Sequence, residues 1–368
     1  MRAVRVELDV RSYSALVGED LLEHLGELMD SWCPDVNPGK VVVVTQAPVE
    51  DAGWLAAAMQ GIDGLKAQAA VVRIDDGERA KSLETLESLC RQFAKVGLER
   101  MDAVIALGGG VVTDVAGFAA SVYLRGISLV NVPTTLLSQV DAALGGKTGV
   151  DLPEGKNLVG SFWQPRLVVC DTRTLASLPE RELLSGRGEL AKYAFLGAGK
   201  ILELGLADQV ASALSVKAGY VSKDEREATG ARMALNYGHT VGHAVEAASL
   251  ERSSGTRLGD KAHGLDAEPL SHGESVAIGM VAAARIAERM GRIDVERVVE
   301  HLELLRGLGL PTSLPQWVDA AELMAYISRD KKNRGGLTFV LDGPAGVEPV
   351  FGVDPSMVTD VLEEMKEQ

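Results

Sequence analysis

Ala103-Val104-Ile105-Ala106-Leu107-Gly108-Gly109-Gly110-Val111-Val112-Thr113-Asp114 is the stretch that decides the fold. Residues 103–107 are apolar without a break, as a strand covered on both faces requires. Three glycines follow, and the spacing then turns helical over 113–121. Residues 103–124 are long enough to cross a bilayer, but they contain Asp114 and glycines at 108, 109, 110 and 117. A buried strand–turn–helix is the better reading. Glycines at such a turn let backbone amides approach a pyrophosphate at the helix N-terminus. The GxGxxG spacing is absent. A tight turn that merely needs positive φ is therefore an equal alternative on this motif alone.

Working outward, 41–45, 129–132 and 167–170 are further strand-length runs, mostly apolar, and 82–94 has helical periodicity. The alternation predicts an α/β domain with a largely parallel sheet over residues 1–172. Beyond that point the strand signal fades. Helices are expected over 181–195, 209–221, 225–249, 274–290 and 295–305, with Gly307 and Gly309 closing the last. Pro179 fits the start of the first. A lone late strand is expected at 337–341, and 251–269 reads as an exposed loop. Residues 173–368 thus form a mostly helical second domain.

The chain has 368 residues, 46% of them hydrophobic and 24% charged, enough for a large core and two domains. Its net charge of −15 argues against nucleic acid, which needs a basic face, and disfavours anionic membranes. Basic residues gathered in a cleft of so acidic a protein would serve a small anion. Cys33, Cys90 and Cys170 are too few and too scattered for a disulfide framework. With no apolar signal-peptide core at the N-terminus, a cytoplasmic location is expected.

Three short segments concentrate the chemistry: 186–193 (GRGELAKY), 236–243 (NYGHTVGH) and 271–274 (SHGE). Three of the six histidines lie in the last two. Neutral imidazole plus carboxylate is the ligand set of a divalent metal with an open position, and neighbouring lysines suggest an anionic substrate. Spacing alone would choose His239 and His243, four apart on one helix face, as the ligand pair. Lys147 and Lys156, flanked by glycines, suit a phosphorylated substrate or are simply solvated. Gly146-Lys147-Thr148 is not a P-loop, because Asp141 stands where that motif begins with glycine. Thr134 and Thr135, after a strand, could reach a ligand in the crevice there or cap a helix.

Taken together, these segments resemble the 3-dehydroquinate synthases, a branch of the sugar phosphate cyclases. The matching stretches are GGGVVTDVAGFAASVYLRG (108–126), VPTTLLSQVDAALGGKTGVDLPEGKNLVGSFWQP (132–165), LPEREL (178–183), GELAKY (188–193), LNYGHTVGHAVE (235–246), HGESVAIGMV (272–281) and DKKNRG (330–335). The resemblance implies a Rossmann-like NAD-binding α/β domain, a helical domain holding metal and substrate, and a homodimer. It implies conversion of 3-deoxy-D-arabino-heptulosonate 7-phosphate to 3-dehydroquinate and phosphate. The implied route is transient oxidation by NAD, β-elimination, re-reduction and intramolecular aldol closure, the second step of the shikimate pathway.

Roles follow by position. Glu189, His239 and His272 match the ligands of a zinc or cobalt ion. That makes His243 a phosphate-contacting, proton-transferring residue and corrects the bare spacing argument. Asp141, Lys147, Asn157, Lys192 and Asn236 match the substrate pocket. Lys217 and Arg232 match the pair that grips the substrate carboxylate, Lys331 a phosphate-binding lysine, and Arg125 an arginine lent to a partner subunit. For NAD the matches are Glu78, Lys81, Gly109, Gly110, Val111, Asp114, Thr134, Thr135, Lys147, Lys156, Ser177, Leu178 and Glu182. Gln46, which follows the 41–45 run, departs from the Asp or Asn that many members of the family have there. His272 is preferred to His263 because only His272 precedes the Glu-Ser-Val-Ala-Ile-Gly-Met helix. The competing readings are an aminodehydroquinate synthase, a carboxylate-free cyclase, a metal-dependent polyol dehydrogenase, and a protein that holds its metal for structure alone.

Overall fold

The apolar runs form a parallel sheet because each is buried on both faces. The computed structural model describes residues 1–253, 268–329 and 336–366. In it the chain divides into two compact units: Met1–Pro179 with Glu203–Arg226, and Glu180–Leu202 with Glu227–Gln368. The sequence reading cut the chain at 172/173; here residues 203–226 group with the first unit.

The first unit holds strands β1 (Arg2–Val6), β2 (Tyr13–Gly18), β3 (Lys40–Thr45), β4 (Gln68–Arg73), β5 (Ala103–Gly108), β6 (Ser128–Pro133) and β9 (Leu167–Asp171). They make one sheet of order β1-β2-β9-β6-β5-β3-β4. Only the β1–β2 pair is antiparallel; the other pairings are parallel. Strands β7 (Lys147–Leu152) and β8 (Gly155–Phe162) form a separate antiparallel hairpin. Val41, Val43 and Ile105 face one core, and Val42, Val44 and Val104 the other. This alternation explains why Val41–Val44 and Ala103–Leu107 carry no polar residue. From β3 the chain goes to β4 on one side and to β5 on the other. The carboxyl ends of β3 and β5 therefore bound a topological switch point, where open α/β sheets take ligands.

The second unit is mainly helical: Glu180–Tyr193, His239–Ser253, His272–Arg289, Val295–Gly307, Ala320–Arg329 and Pro355–Glu364. Two expectations are corrected. The continuous helix expected over 225–249 is broken, because Gly230 and Gly238 take φ of 85° and 81°. Only a short 3-10 turn, Ala231–Asn236, separates them before the helix begins at His239. The strand expected to stand alone, β10 (Leu337–Leu341), pairs antiparallel with β11 (Glu348–Val353). That partner escapes notice because Pro349 and Gly352 dilute its strand pattern. The loop expected at 251–269 lies mostly outside the described residues, and 251–253 end a helix. Among the described residues no helix is long and apolar enough to cross a membrane.

Candidate active site

Three helices of the second unit each deliver one residue of a group that could hold a metal ion. Glu189 lies in the last turns of Glu180–Tyr193, and His239 and His272 are the first residues of their helices. Glycines let the backbones touch. A Cβ at Gly273 would sit 1.9 Å from the Ser185 carbonyl oxygen, and one at Gly188 2.3 Å from that of Gly273. One at Gly279 would sit 1.9 Å from the Gly238 oxygen. This close approach is what lets a glutamate and two histidines from separate helices converge. A capping box fixes the start of the third helix, with Glu274 bonded to the Ser271 amide and Ser271 to the Glu274 amide. Gly273→Ala should therefore cost about 1–3 kcal/mol, as overpacking does, and also weaken metal binding. Thermal unfolding and metal titration of the variant would check both, and an unchanged melting point would show that the two helices can part without loss.

Glu189 Oε1 lies 3.0 Å from His272 Nε2 and 3.3 Å from His239 Nε2. Donor atoms of the three residues lie within 4.8 Å of one another. With bonds of about 2.0–2.1 Å, a tetrahedral ion needs donor separations of about 3.3 Å, and the two glutamate–histidine separations are close to that. Glu189 is wholly buried. Burial raises its carboxyl pKa, but Lys192, His239 and His272 overcome that and hold it well below the ordinary range. Its Oε2 meets Lys192 Nζ at 2.6 Å in an ion pair without hydrogen-bond geometry. Burial likewise lowers the His272 pKa, and hydrogen bonds to Glu189 and Glu246 carry it up to about 10. These carboxylates attract a proton to the ring edge where the triad would hold a metal, and the two compete for that nitrogen. His239 Nδ1 is bonded to the Tyr237 carbonyl oxygen at 3.1 Å, and Tyr237 Oη to buried His301 Nε2 at 2.8 Å.

His243 stands beside the triad and outside it, its ring 5.2 Å from His239 and 6.0 Å from His272. Glu246, given no role in the sequence reading, lies 3.2 Å from His272 Nδ1. Its signal was present, since it follows His239 by seven residues and His243 by three, on one helix face. Arg232 is buried, with Nε 3.7 Å from Glu227 Oε1, and Asn236 is exposed at the end of the 3-10 turn. Glu182 is exposed on the first ligand-bearing helix. Lys331 and His263 lie outside the described residues.

In the first unit, none of Gly108, Gly109 and Gly110 has positive φ, so the alternative of a positive-φ turn is set aside. Small size is the requirement instead. A Cβ at Gly108 would meet Val112 Cγ2 at 2.4 Å, and one at Gly109 would meet Thr135 Cγ2 at 3.0 Å. The helix Gly110–Val122 begins there, at the carboxyl end of β5, with Val111 in its first turn. The first amides of a helix have no partner within the helix, which is what an anion site at such a terminus uses. Thr134 donates its amide to the Gly108 carbonyl, while Thr135 Oγ1 caps the Ser138 amide, the capping role weighed from sequence.

Buried Lys81 bonds Asp114 Oδ2 at 2.8 Å and Asn157 Oδ1 at 2.5 Å. Glu78 Oε1 lies 3.9 Å from Lys81 Nζ and 3.7 Å from that of exposed Lys156. Ser177 Oγ accepts the Trp54 indole N–H at 2.7 Å, and Leu178 ends that 3-10 segment. Gln46 is tied to the Asp75 carbonyl. Asp141 lies in a π-turn, Ser138–Ala142, a geometry frequent at functional sites. Its carbonyl oxygen, at 2.6 Å, and its carboxylate both hold Lys217 Nζ. Lys147 is exposed at the start of β7. Arg125 is exposed in a left-handed conformation, φ 65°, just after the helix Gly110–Val122.

Comparison with known proteins agrees with this geometry. Residues 71–185 match the family model of the 3-dehydroquinate synthase N-terminal domain, and 186–333 that of the C-terminal domain. A putative aminodehydroquinate synthase of Amycolatopsis mediterranei is 45% identical, over 98% of this chain and 94% of its own length. A 3-dehydroquinate synthase of Nitrobacter hamburgensis is 41% identical over 98% and 94%. A structure of 2-deoxy-scyllo-inosose synthase complexed with carbaglucose-6-phosphate, NAD+ and Co2+ has a TM-score of 0.83 at 28% identity, covering 99% of this chain and all of that one. The chain belongs to the 3-dehydroquinate synthase family.

Proposed function

We propose that the protein is a 3-dehydroquinate synthase, acting on 3-deoxy-D-arabino-heptulosonate 7-phosphate and releasing phosphate. The observation that carries the reading is the Glu189–His239–His272 set, with Glu189 buried beside Lys192, in a chain of this family. When bound, NAD takes and returns a hydride, and the divalent ion, zinc or cobalt, polarises substrate hydroxyls as a Lewis acid. The protein's own residues bind, orient and move protons. Gly109, Gly110 and Val111 offer amides to the pyrophosphate, with Lys81, Asp114, Thr134, Thr135, Glu78, Lys147, Lys156, Ser177, Leu178 and Glu182 completing the NAD contacts.

Lys147, Asn157, Lys192, Asn236 and Lys331 hold the hydroxyls and phosphate of the substrate, and Arg125 is contributed to a partner subunit in a cytoplasmic homodimer. Asp141 orients Lys217, which with Arg232 grips the carboxylate. His243, close to the metal but not bound to it, is the proton-transfer group. Holding one substrate through oxidation, elimination and ring closure requires many fixed contacts, which is why the basic set is large.

A second reading, aminodehydroquinate synthase, is favoured by the 45% identical relative of that name. A phosphate-release assay on the heptulosonate phosphate and on its amino analogue separates the two. Turnover should depend on NAD and stop with a chelator, while NADH does not accumulate. NADH rising in proportion to product would overturn the cyclase reading and favour a dehydrogenase.

A further inference from the structure

Glu246 is not one of the three ligands, yet it is bonded to one of them. We propose that Glu246 is the positioning residue of His272, fixing the ring so that Nε2 faces the metal position. The inference rests on the metal reading above. The helix His239–Ser253 carries His239, His243 and Glu246 at intervals of four and three, on one face. Glu246 Oε2 lies 3.2 Å from His272 Nδ1, while the opposite ring nitrogen, Nε2, lies 3.0 Å from Glu189 Oε1. An ionised carboxylate can only accept, so Nδ1 must donate, and a neutral ring then presents its lone pair at Nε2. A second carboxylate behind a histidine ligand fixes its tautomer and orientation in this way and raises its basicity. His239 obtains the same service from the Tyr237 carbonyl oxygen, 3.1 Å from its Nδ1. Both ligands thus offer Nε2, one held by backbone and the other by a side chain that mutation can remove. The Glu246 side chain is only 13% exposed, so little water is at hand to replace its bond.

His243, Glu246 and His272 could also gather donor atoms around an ion of their own. That ion would need the Nδ1 lone pair of His272, which is protonated whenever Nε2 serves the first position as a neutral ring. The two arrangements compete for one imidazole, and the Glu189 set, with the buried carboxylate, uses it in the orientation observed.

The test is zinc affinity of the metal-stripped full-length protein, measured by competition with a chromophoric chelator, with circular dichroism to verify folding. Four proteins are compared: wild type, His272→Ala, Glu246→Ala and Glu246→Gln. Glu246→Ala should bind zinc about 10- to 100-fold more weakly, the usual loss on removing such a partner. Glu246→Gln, which keeps a neutral acceptor, should lose less; if the alanine variant does not fold, a weakened affinity in the glutamine variant decides the matter. Wild-type affinity in folded Glu246 variants overturns the proposal, as does a stoichiometry falling from two ions to one with the tighter site untouched. Failure of the metal reading itself looks different: His272→Ala would then bind zinc as wild type does.

Discussion

Glu189→Ala should lose bound metal and turnover together, and should also destabilise the fold. The catalytic loss follows from the ligand set: without its one carboxylate the site offers two neutral imidazoles and an ammonium to a dication. Lewis-acid stabilisation is worth several kcal/mol, so the rate should fall by on the order of 10³-fold or more. The stability loss follows from burial. Glu189 and Lys192 form an ion pair with both side chains 1% exposed, and removing one partner of such a pair costs about 3–5 kcal/mol. Glu189→Gln separates the effects, because it keeps the volume and an acceptor while removing the charge. Metal content, phosphate release and denaturant midpoints of both variants check this. A glutamine variant that keeps stoichiometric metal and full turnover would remove Glu189 from the ligand set.

How much of this was legible in sequence depends on whether the signal was local. The strands β3, β5, β6 and β9 announce themselves, because burial on both faces leaves Val41–Val44 and Ala103–Leu107 with no polar residue. Strands β1 and β2 do not. Arg2 and Arg5 sit in an edge strand whose exposed positions take charges, so the apolar run is interrupted. The β7–β8 hairpin is masked by its glycines, and Gly149 and Gly160 lie where the two backbones approach each other closely.

The candidate metal ligands follow a similar rule. His239 and His243 are four apart in sequence and looked like a pair. Yet Glu189 and His272, 83 residues apart, are the ones that meet at 3.0 Å. No periodicity encodes that contact; the helix–helix approach at Gly188 and Gly273 makes it, and the family resemblance supplied it. The same approach explains why glycine recurs beside each ligand in GELAKY, YGHTVGH and HGE. His301 had no signal at all. It is a buried histidine whose Nδ1 lies 2.7 Å from the Arg297 carbonyl, stacked on Phe195, and its bond to Tyr237 becomes visible only when the chain is folded.

Arg232→Ala should weaken binding of the natural substrate by about 2–5 kcal/mol, as truncating one member of a desolvated charge pair does. That is roughly 30-fold to several thousand-fold in affinity. The sequence left open a bland alternative, a surface ion pair with Glu225 or Glu227 worth under about 1 kcal/mol. The structure narrows it. Arg232 is 2% exposed, which is not a surface setting. Glu225 is engaged by Arg11 at 2.8 Å, whereas Glu227 Oε1 stays 3.7 Å from Arg232 Nε. The planar guanidinium fork of an arginine matches a carboxylate bidentately. Arg232→Lys keeps the charge but not the fork, and should recover only part of the loss. Glu227→Gln tests the local alternative: if Arg232 serves mainly to hold Glu227, this variant should reproduce the defect. The deciding comparison is Arg232→Ala on the natural substrate and on an analogue lacking the carboxylate. Equal losses on both would refute carboxylate recognition. A loss confined to the natural substrate would fix Arg232 as the residue that sets this enzyme apart from cyclases whose sugar phosphate ends in an uncharged group.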